Sequence, residues 1–397
     1  MRKKIGLICN QNNLFFGLGR HLRDAGYDVT LLLANNEASD WPHFHPSADT
    51  FDLDYQDWTR TLSWGDGRRI ARHDPHTVER DLAPFDFLFG CGSAPAYLAR
   101  IGRPLDVFMP FGSDLCEEPF RAPAFTRHSV RSLVELPRWQ RAGVRACKVV
   151  IGDRSVLIEE PLARLSYKGR RVFGVPPLLY TPLFSQASLE GKTKSSHWYP
   201  VVKDFRDKLD VLVFMHARHV WKNPTKLIWS KGNDKLLRAV ADLRAERPDV
   251  RVGVVTCEYG PDVLASRQLV SELGLDDRVL WLPVSPRKEL MVLMTLADLA
   301  VGELGHSWFI AGTVHEALAM GKPLLHRRED ADFEGLYPEL YPMFDIKETA
   351  DATRVLRRFV DSPAEVKQVG VRGRAWFEEH AIRRSLELTR GLIHGTT

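Results

Sequence analysis

The stretch from Ala297 to His326, which reads ADLAVGELGHSWFIAGTVHEALAMGKPLLH, decides the fold. An apolar run at residues 299–302 predicts a short buried strand, and residues 313–320 predict a helix. Gly321 ends that helix, and a proline stands two positions further on. Residues 323–325 predict the next strand. A strand, a helix and a second strand in this order are typical of a parallel sheet covered by helices.

The start of this predicted helix is a candidate anion-binding site. The N–H groups of Gly312 and Thr313 have no carbonyl partner one turn earlier, and the helix dipole favours negative charge there. Glu316 lies about one turn into the helix. Its carboxylate can therefore reach a hydroxyl group of the molecule that carries the anion.

The stretch resembles the nucleotide-sugar signature of GT-B glycosyltransferases, specifically of glycosyltransferase family four. That signature reads Glu-x-Phe-Gly-x-x-x-x-Glu-Ala, followed by a small residue and Gly-x-Pro. The chain matches it at Glu316, Ala317, Ala319, Gly321 and Pro323. The resemblance implies that Glu316 holds the ribose of a donor nucleotide.

The chain departs from the signature at its first glutamate. Trp308 stands at that position, eight residues before Glu316, and the glycine of the signature falls on Ala311. Glu303 lies further upstream on the same loop and could replace the missing glutamate if the loop folds back. His306 could fill the same gap. The departure bears on the mechanism, because the resemblance implies a retaining enzyme that uses this glutamate to hold the donor sugar.

The composition is that of a globular protein with more than one domain. The chain has 397 residues, 44% of them hydrophobic and 27% charged, and a net charge of +4; a chain of this length usually forms two domains. No apolar run approaches the about 18 residues of a membrane span, and the first residues lead directly into a strand. We therefore expect neither a membrane span nor a signal peptide. The five cysteines are scattered without a pairing pattern and indicate a reducing cytosol.

The first domain is expected to open with a strand at residues 4–9, a helix at 17–25 and a parallel strand at 29–33. Such units bind ligands at the carboxyl edge of their strands. Gly17 and Gly19, at the start of the helix, do not form a dinucleotide fingerprint. The resemblance suggests that one of them gives the donor phosphates or the acceptor access to the backbone. A plain turn and helix start is an equally open interpretation.

Asp114 is a candidate base in the first domain. It follows a predicted strand at residues 106–110, and a carboxylate at the carboxyl end of a strand can accept the proton of an acceptor hydroxyl. The resemblance leads us to expect a histidine near this position, which the chain lacks. An Asx turn or a helix cap formed by Ser113 and Asp114 is the alternative.

The segment from Arg121 to Arg171 is basic. It contains twelve basic residues against four acidic ones. One interpretation is a surface that faces anionic lipid or an anionic glycan acceptor. The other is an ordinary solvated helix, since the arginines at 131, 138, 141 and 145 suit one helix face.

The second domain carries two more motif residues. Arg218 follows a predicted strand at 209–215, and Lys231 precedes a predicted helix. The arrangement resembles the family pattern Gly-Arg-Leu, then Lys-Gly-x-x-x-Leu-Leu-x-Ala, with an insertion between the two basic residues. The resemblance implies that Arg218 and Lys231 bind the donor diphosphate, where their charge would stabilise the departing nucleotide.

Two further positions in the second domain are candidates for donor binding. Glu258 follows a predicted strand at 252–256, at the edge where the donor is expected. The resemblance suggests that the backbone at 282–284, which includes Val284, reads the base.

The resemblance implies a GT-B architecture of two Rossmann-like α/β domains that face a cleft. We expect an acceptor domain at residues 1–184, a linker at 185–208 and a donor domain at 209–380. The last helix, at 381–397, is expected to cross back and pack on the first domain.

The sequence therefore predicts a glycosyltransferase of the hexosyltransferase class. It would move a sugar from a nucleoside diphosphate sugar to a cell-surface glycan or a lipid-linked acceptor, with retention, without a metal or other cofactor and without nucleic acid. We expect it in the cytoplasm, where it could contact the inner face of the membrane. The alternatives are an inverting enzyme with Asp114 as base, a sugar nucleotide 2-epimerase of the same fold, and a donor-binding scaffold without activity.

Overall fold

The computed structural model describes residues 3–37, 42–122, 130–175, 178–225 and 227–396. The chain divides into two compact units, one formed by Met1–Tyr180 with Ala381–Thr397 and the other by Thr181–His380. Each unit is built on one sheet whose strands are all parallel. In the part of the chain that the structure describes, no helix combines the length and the apolar character needed to cross a membrane.

The strands of the first unit are β1 Lys4–Ile8, β2 Asp28–Leu33, β3 Thr59–Thr61, β4 Phe87–Gly90, β5 Val107–Phe108, β6 Val149–Gly152 and β7 Arg170–Phe173. They form a seven-stranded sheet in the order β3-β2-β1-β4-β5-β6-β7. Strands β1, β2 and β4 are mostly buried, as expected for a parallel sheet covered on both faces. Since β1 lies between β2 and β4, the strand order reverses at β1, and its carboxyl end is a point where such sheets bind ligands.

The first six helices belong to the same unit and are α1 Leu14–Asp24, α2 Pro75–Leu82, α3 Ala94–Arg100, α4 Ser113–Cys116, α5 Val130–Ala146 and α6 Val156–Arg164. Helix α1 buries nine of its eleven residues, from Leu14 to Leu22. Its glycines have no side chains, so neighbouring residues can pack closely against the helix. Phe16 stacks on Trp58 with ring centroids 5.8 Å apart, so the irregular segment after β2 contributes to this core.

The strands of the second unit are β8 Val211–Met215, β9 Val252–Cys257, β10 Val279–Leu282, β11 Leu299–Val301, β12 Leu324–His326 and β13 Phe344–Asp345. They form a six-stranded sheet in the order β10-β9-β8-β11-β12-β13. The helices of this unit are α7 Gln186–Glu190, α8 Tyr199–Arg206, α9 Asn233–Glu246, α10 Val263–Glu272, α11 Arg287–Met294, α12 Gly312–Ala319, α13 Thr349–Asp361 and α14 Pro363–Trp376. The predicted strand, helix and strand between Ala297 and His326 are β11, α12 and β12, so that prediction is confirmed.

The last helix, α15 Arg384–His394, belongs to the first unit. The Ser385 hydroxyl donates to the carbonyl of Val175, and a hydrogen bond of 2.9 Å joins the Tyr27 hydroxyl to Nε2 of His394. Ile393 is fully buried in the core of the unit. The prediction that the C-terminal helix packs back on the first domain is therefore confirmed.

Residues 185–208, which the sequence predicts to be a linker, instead contain α7 and α8 and belong to the second unit. Ser185 and Ser188 form a capping box at the start of α7, with hydrogen bonds of 2.9 and 3.1 Å between side chain and backbone. The Ser196 hydroxyl donates to Glu289 of α11 at 2.5 Å. The polar residues of this stretch therefore cap and anchor short helices. Composition alone wrongly indicates a flexible segment here.

Helix α5 approaches α3 closely at Gly143, where an added Cβ would collide with the carbonyl oxygen of Pro95. We expect Gly143→Ala to lower the free energy of unfolding by roughly 1–3 kcal/mol, because backbone atoms cannot move aside as a side chain can. Scanning calorimetry measures the loss as a lower unfolding temperature.

Gly191→Ala is the matched control, since a Cβ at that position meets nothing within 4 Å. It should leave the unfolding temperature unchanged or raise it slightly. Equal unfolding temperatures for the two variants would contradict the close approach of α5 and α3.

Candidate functional site

The candidate site lies at the carboxyl edge of the six-stranded sheet. Strand β8 lies between β9 and β11, so the strand order reverses there, and sheets of this kind bind ligands at such a point. His216 follows β8 directly, and Glu303 follows β11 after one glycine. Helix α12 starts at the same edge, because it connects the parallel strands β11 and β12. Polar residues from distant parts of the sequence therefore meet at one edge.

Glu316 on α12 is the most tightly held residue of the site. Only 6% of the residue is exposed. Nε of Arg287 donates to its Oε1 at 2.7 Å, and Nε2 of His216 contacts its Oε2. Burial raises the pKa of the Glu316 carboxyl, but His216 and Arg287 oppose this effect and bring the pKa to about 2. Glu316 is therefore an ionised carboxylate with a partner at each oxygen.

Lys231 and Glu303 form a second buried ion pair. Nζ of Lys231 lies 2.6 Å from Oε2 of Glu303, and the two side chains are 10% and 11% exposed. Within the described part of the chain, Oε2 makes no aligned hydrogen bond. The contact is thus mainly ionic. The loop after β11 thus places Glu303 beside Lys231, the lysine that the sequence predicts to bind phosphate. The role of Glu303 in holding the donor sugar stays a prediction.

The two loops that carry this pair are joined by their backbones. The N–H of Leu304 donates to the carbonyl of Lys231 at 2.9 Å. Gly232 has φ of +61°, and a Cβ there would meet the backbone of Leu304 and Gly305 at 2.8 Å. A residue with a side chain would push the loops apart at this position. The glycine therefore allows the close approach that brings Lys231 to Glu303.

His326, at the end of β12, holds the loop after β11. Its Nδ1 accepts a hydrogen bond from the N–H of Glu303 at 3.0 Å, and its Nε2 lies 2.9 Å from the carbonyl of Trp308. Since a carbonyl only accepts, Nε2 carries the hydrogen. Burial lowers the pKa of His326 to about 4. A neutral imidazole thus fixes both ends of the segment that contains Glu303 and His306.

The start of α12 lies where the sequence predicts it. The helix begins at Gly312, and its N-cap residue Ala311 has no side chain that could accept from the first N–H groups. Oγ1 of Thr313 is buried and has no hydrogen-bond partner among the residues that the structure describes. Thr313 and Glu316 are three positions apart and so share one face of the helix. This face presents hydrogen-bonding groups at the positive end of the helix dipole.

Three other predicted donor-binding residues lie on the same sheet edge but outside these two ion pairs. Arg218 is exposed, with its guanidinium 6.0 Å from the ring centroid of Tyr259. The Glu258 carboxylate pairs with Arg267 of α10. Val284 follows β10 and is 63% exposed. Arg218 and Val284 are thus open to a ligand, whereas Glu258 already has a partner of opposite charge.

His306 is partly exposed, and its ring centroid lies 5.3 Å from that of Trp308. Burial, followed by the charge of Arg327, lowers the pKa of its imidazole. Trp308 occupies the position of the missing glutamate, but its backbone carbonyl is held by His326. His306 therefore projects from an anchored loop.

Gly17 and Gly19 do not present their backbone to a ligand. Both are buried in α1. A Cβ at Gly17 would meet the carbonyl oxygen of Leu178 at 3.0 Å, and one at Gly19 would meet the Trp58 ring at 2.8 Å. These contacts favour the interpretation of a plain helix over that of a glycine that gives the donor phosphates or the acceptor access to the backbone.

Asp114 lies in α4 and is 1% exposed. Its carboxylate oxygens accept hydrogen bonds from the N–H groups of Phe111 at 2.8 Å and Gly92 at 2.9 Å. Burial raises the pKa of Asp114 to about 6, although these hydrogen bonds act in the opposite direction. The carboxylate therefore joins the loops after β4 and β5, which favours the structural interpretation over that of an exposed base.

Much of the basic segment is used within the first unit. Arg141 donates to the carbonyl of Pro119 and Arg145 to that of Leu165, while Lys148 pairs with Asp106 at 2.6 Å. Arg127 and the side chain of Arg131 lie outside the described residues. The predicted anionic surface partner of this segment stays a prediction.

His216 and Arg287 are the site residues that sequence reasoning missed. A signal existed for His216, because it is the first polar residue after the apolar strand β8 and so had to lie at the binding edge. Arg287 begins α11 and is far from Glu316 in sequence, and nothing in the local pattern links the two residues.

The polar groups at this edge suit an anion better than a cation. Within the described ranges, no three or more His, Cys, Asp and Glu residues form a group that could hold a metal ion. The three carboxylates placed at this edge, those of Glu303, Glu316 and Glu258, already have cationic partners. The groups open to a ligand are Arg218, the start of α12 and the backbone near Val284.

No protein-family model matches the chain. A curated relative, MMP alpha-(1->4)-mannosyltransferase from Mycolicibacterium hassiacum, is 34% identical over 148 residues. The match covers 36% of this chain and 34% of the mannosyltransferase, so the chain spans about a third of the length of that relative.

Solved structures resemble the whole chain. HepE from Anabaena in complex with UDP matches with a TM-score of 0.63 and 12% identity, over 100% of both chains. The complex of HepE with UDP-glucose matches with a TM-score of 0.62 and 13% identity, over 98% of this chain and 100% of that chain. Sucrose-phosphate synthase from Thermosynechococcus elongatus matches with a TM-score of 0.62 and 16% identity, over 99% of this chain and 98% of that one. The chain therefore has the GT-B fold that the sequence predicts.

The Glu316 ion cluster makes stability depend on pH. The pKa of about 2 in the folded protein lies below the ordinary value of 4.5, so the stabilisation is complete above that ordinary value and is lost as the pH falls toward 2. Glu316→Gln removes the titrating group and breaks a buried ion pair, so it should be less stable by about 3–5 kcal/mol at neutral pH. On acidification its free energy of unfolding should fall less steeply than that of the wild type.

Urea unfolding at a series of pH values measures both curves. Carboxyl groups far from Glu316 are present in both proteins, so the difference between the two curves reports the loss of Glu316 from its ion cluster. Curves that stay parallel from neutral pH to about pH 3 would show that the Glu316 pKa is not depressed.

Proposed function

We propose that the protein is a glycosyltransferase that moves a hexose from a nucleoside diphosphate sugar to a glycan or a lipid-linked acceptor. The observation that carries the proposal is the pair of buried charge clusters at one sheet edge, Glu316 with Arg287 and Lys231 with Glu303. The match to a mannosyltransferase, 34% identical over 148 residues, and the likeness to HepE, which was solved with UDP and with UDP-glucose, support it.

In this proposal the donor binds along the edge of the six-stranded sheet. The ribose hydroxyls donate to Glu316, whose two oxygens retain lone pairs beyond those used by Arg287 and His216. The diphosphate lies at the start of α12, where the N–H groups of Gly312 and Thr313 and the helix dipole favour an anion. The backbone near Val284 reads the base.

Arg218 and Lys231 stabilise the departing nucleotide. When the bond between the anomeric carbon and the diphosphate breaks, negative charge builds on the leaving oxygen, and positioned cations lower the energy of that state. We propose that these cations and the α12 N–H groups take the place of a divalent metal ion. Arg218 offers a planar fork and Lys231 a point charge, so their contributions differ in geometry.

We propose that the anomeric configuration is retained. The acceptor oxygen then bonds to the anomeric carbon on the face that the diphosphate leaves, and the acceptor proton passes to the departing phosphate. Glu303 holds the donor sugar in place of the missing signature glutamate, with His306 beside it on the same loop. Asp114 is a poor base for inversion, because it is buried and its oxygens accept from two backbone N–H groups.

We further propose that the protein acts at the cytoplasmic face of a membrane. The arginines and lysines between Arg121 and Arg171 would attract an anionic lipid surface or an anionic glycan. Arg138 supports this, because it is exposed on α5 beside Trp139.

Substitutions in the ion pair of Lys231 and Glu303 test the proposal, because they should change nucleotide binding in opposite directions. Phosphate must compete with Glu303 for Lys231, so Glu303→Gln should strengthen binding of a nucleoside diphosphate by roughly tenfold while lowering turnover of the sugar donor. Lys231→Ala should weaken diphosphate binding and lower turnover by roughly 100-fold or more. Calorimetric titration with UDP, GDP and ADP and an assay of donor consumption give the two readouts.

Lys203→Ala is the control, since Lys203 is an exposed lysine of α8 that forms a surface ion pair with Asp207. It should behave as the wild type. Equal turnover of Lys231→Ala and wild type would show that Lys231 is not part of the site.

In the wild type, sugar transferred to an acceptor or to water identifies a transferase, whereas interconversion of the donor sugar identifies a 2-epimerase. Donor binding without any conversion identifies a scaffold.

A further inference from the structure

His216 is a buried polar residue in contact with Glu316. It follows β8 directly, is 8% exposed and contacts Oε2 of Glu316 through Nε2. Its ring packs on that of Phe214, with centroids 5.3 Å apart. The imidazole is thus fixed between the end of a strand and the face of α12.

The contact with Glu316 determines which ring nitrogen carries the hydrogen. An ionised carboxylate only accepts hydrogen bonds, so Nε2 must be the donor. In the neutral imidazole, Nδ1 then has a free lone pair and acts as an acceptor. A carboxylate fixes a histidine tautomer in the same way in many catalytic sites.

Nδ1 of His216 is a buried atom without a protein partner among the described residues. Leaving a buried polar atom unsatisfied destabilises a folded protein, so each such atom calls for an explanation. Oγ1 of Thr313, one turn before Glu316, is in the same situation. His216 contacts the carboxylate that is proposed to accept from ribose hydroxyls, and Thr313 lies three positions before Glu316 on the same face of α12.

We propose that His216 contacts the donor itself, with Nδ1 accepting a hydrogen bond from a ribose hydroxyl of the nucleoside diphosphate. This inference rests on the proposed function, because it concerns the same site. Glu316 and His216 together would then bind the two neighbouring hydroxyls of one ribose. Such a pair distinguishes ribonucleotides from deoxyribonucleotides, since a site built around a hydroxyl is left with an unpaired buried group when that hydroxyl is missing.

Two substitutions separate this role from that of a residue that only positions Glu316. His216→Gln places an amide near the position of Nε2 and so keeps a donor toward Glu316, but it removes the acceptor at Nδ1. His216→Asn places its amide near the position of Nδ1 and loses the contact with Glu316. A residue that only positions Glu316 should therefore be replaced well by Gln and poorly by Asn.

The test is calorimetric titration of wild type and His216→Gln with UDP, GDP and ADP and with their 2′-deoxy and 3′-deoxy forms. We expect His216→Gln to bind the best ribonucleotide about tenfold more weakly than the wild type does. With one of the two deoxy forms, the loss should disappear, because the hydroxyl that Nδ1 accepts from is absent.

Two results would overturn the inference. One is wild-type affinity of His216→Gln for the ribonucleotide, with a loss confined to His216→Asn. The other is an equal loss for the ribonucleotide and both deoxy forms. Because the wild type is titrated with the same panel, failure of the proposed function is seen separately: it would appear as wild-type protein that binds none of the nucleotides. Unfolding temperatures of both variants, measured without nucleotide, establish that they are folded during the titration.

Discussion

The buried carboxylate of Glu316 is the interaction on which the candidate site depends. A charge with 6% exposure cannot remain in a protein interior without partners, because its lost hydration costs several kcal/mol. Arg287 and His216 provide those partners, one at each oxygen. As a result, the end of β8, the start of α11 and the face of α12 are held together by a single carboxylate. A substitution at any of the three residues should therefore change the position and the surroundings of the other two.

The second ion pair complements the first. Lys231 and Glu303 neutralise each other in a place where neither is well hydrated, and the loops that carry them are held by Gly232 and His326. A bound phosphate would compete for Lys231 and release Glu303 beside the donor sugar. The same pair can thus keep the site compact before the donor binds and supply two separate groups once it has bound. Under the proposed function, this dual use accounts for the acidic residue beside Lys231.

The sequence allowed prediction of those features that local chemistry determines. The periodicity and the helix stop at Gly321 predict β11, α12 and β12, and these elements are present. Local patterns could not show which distant residues meet. The contact of Arg287 with Glu316 depends on where the fold places the start of α11 relative to α12. The carboxylate of Asp114 accepts from backbone N–H groups of two separate loops, which only the folded chain brings together. The prediction of a linker at 185–208 was wrong for the same reason, because the serines of this polar stretch act as caps only once the helices have formed.

The most direct measurement is calorimetric titration of the wild type and Glu316→Ala with UDP, GDP and ADP. If the edge of the six-stranded sheet binds a nucleoside diphosphate through its ribose, the wild type should bind at least one of the three. Glu316→Ala should then bind it more weakly by about 1–3 kcal/mol, the cost of losing the carboxylate as acceptor. Unchanged affinity in the variant, or no binding of any of the three nucleotides by the wild type, would contradict this account.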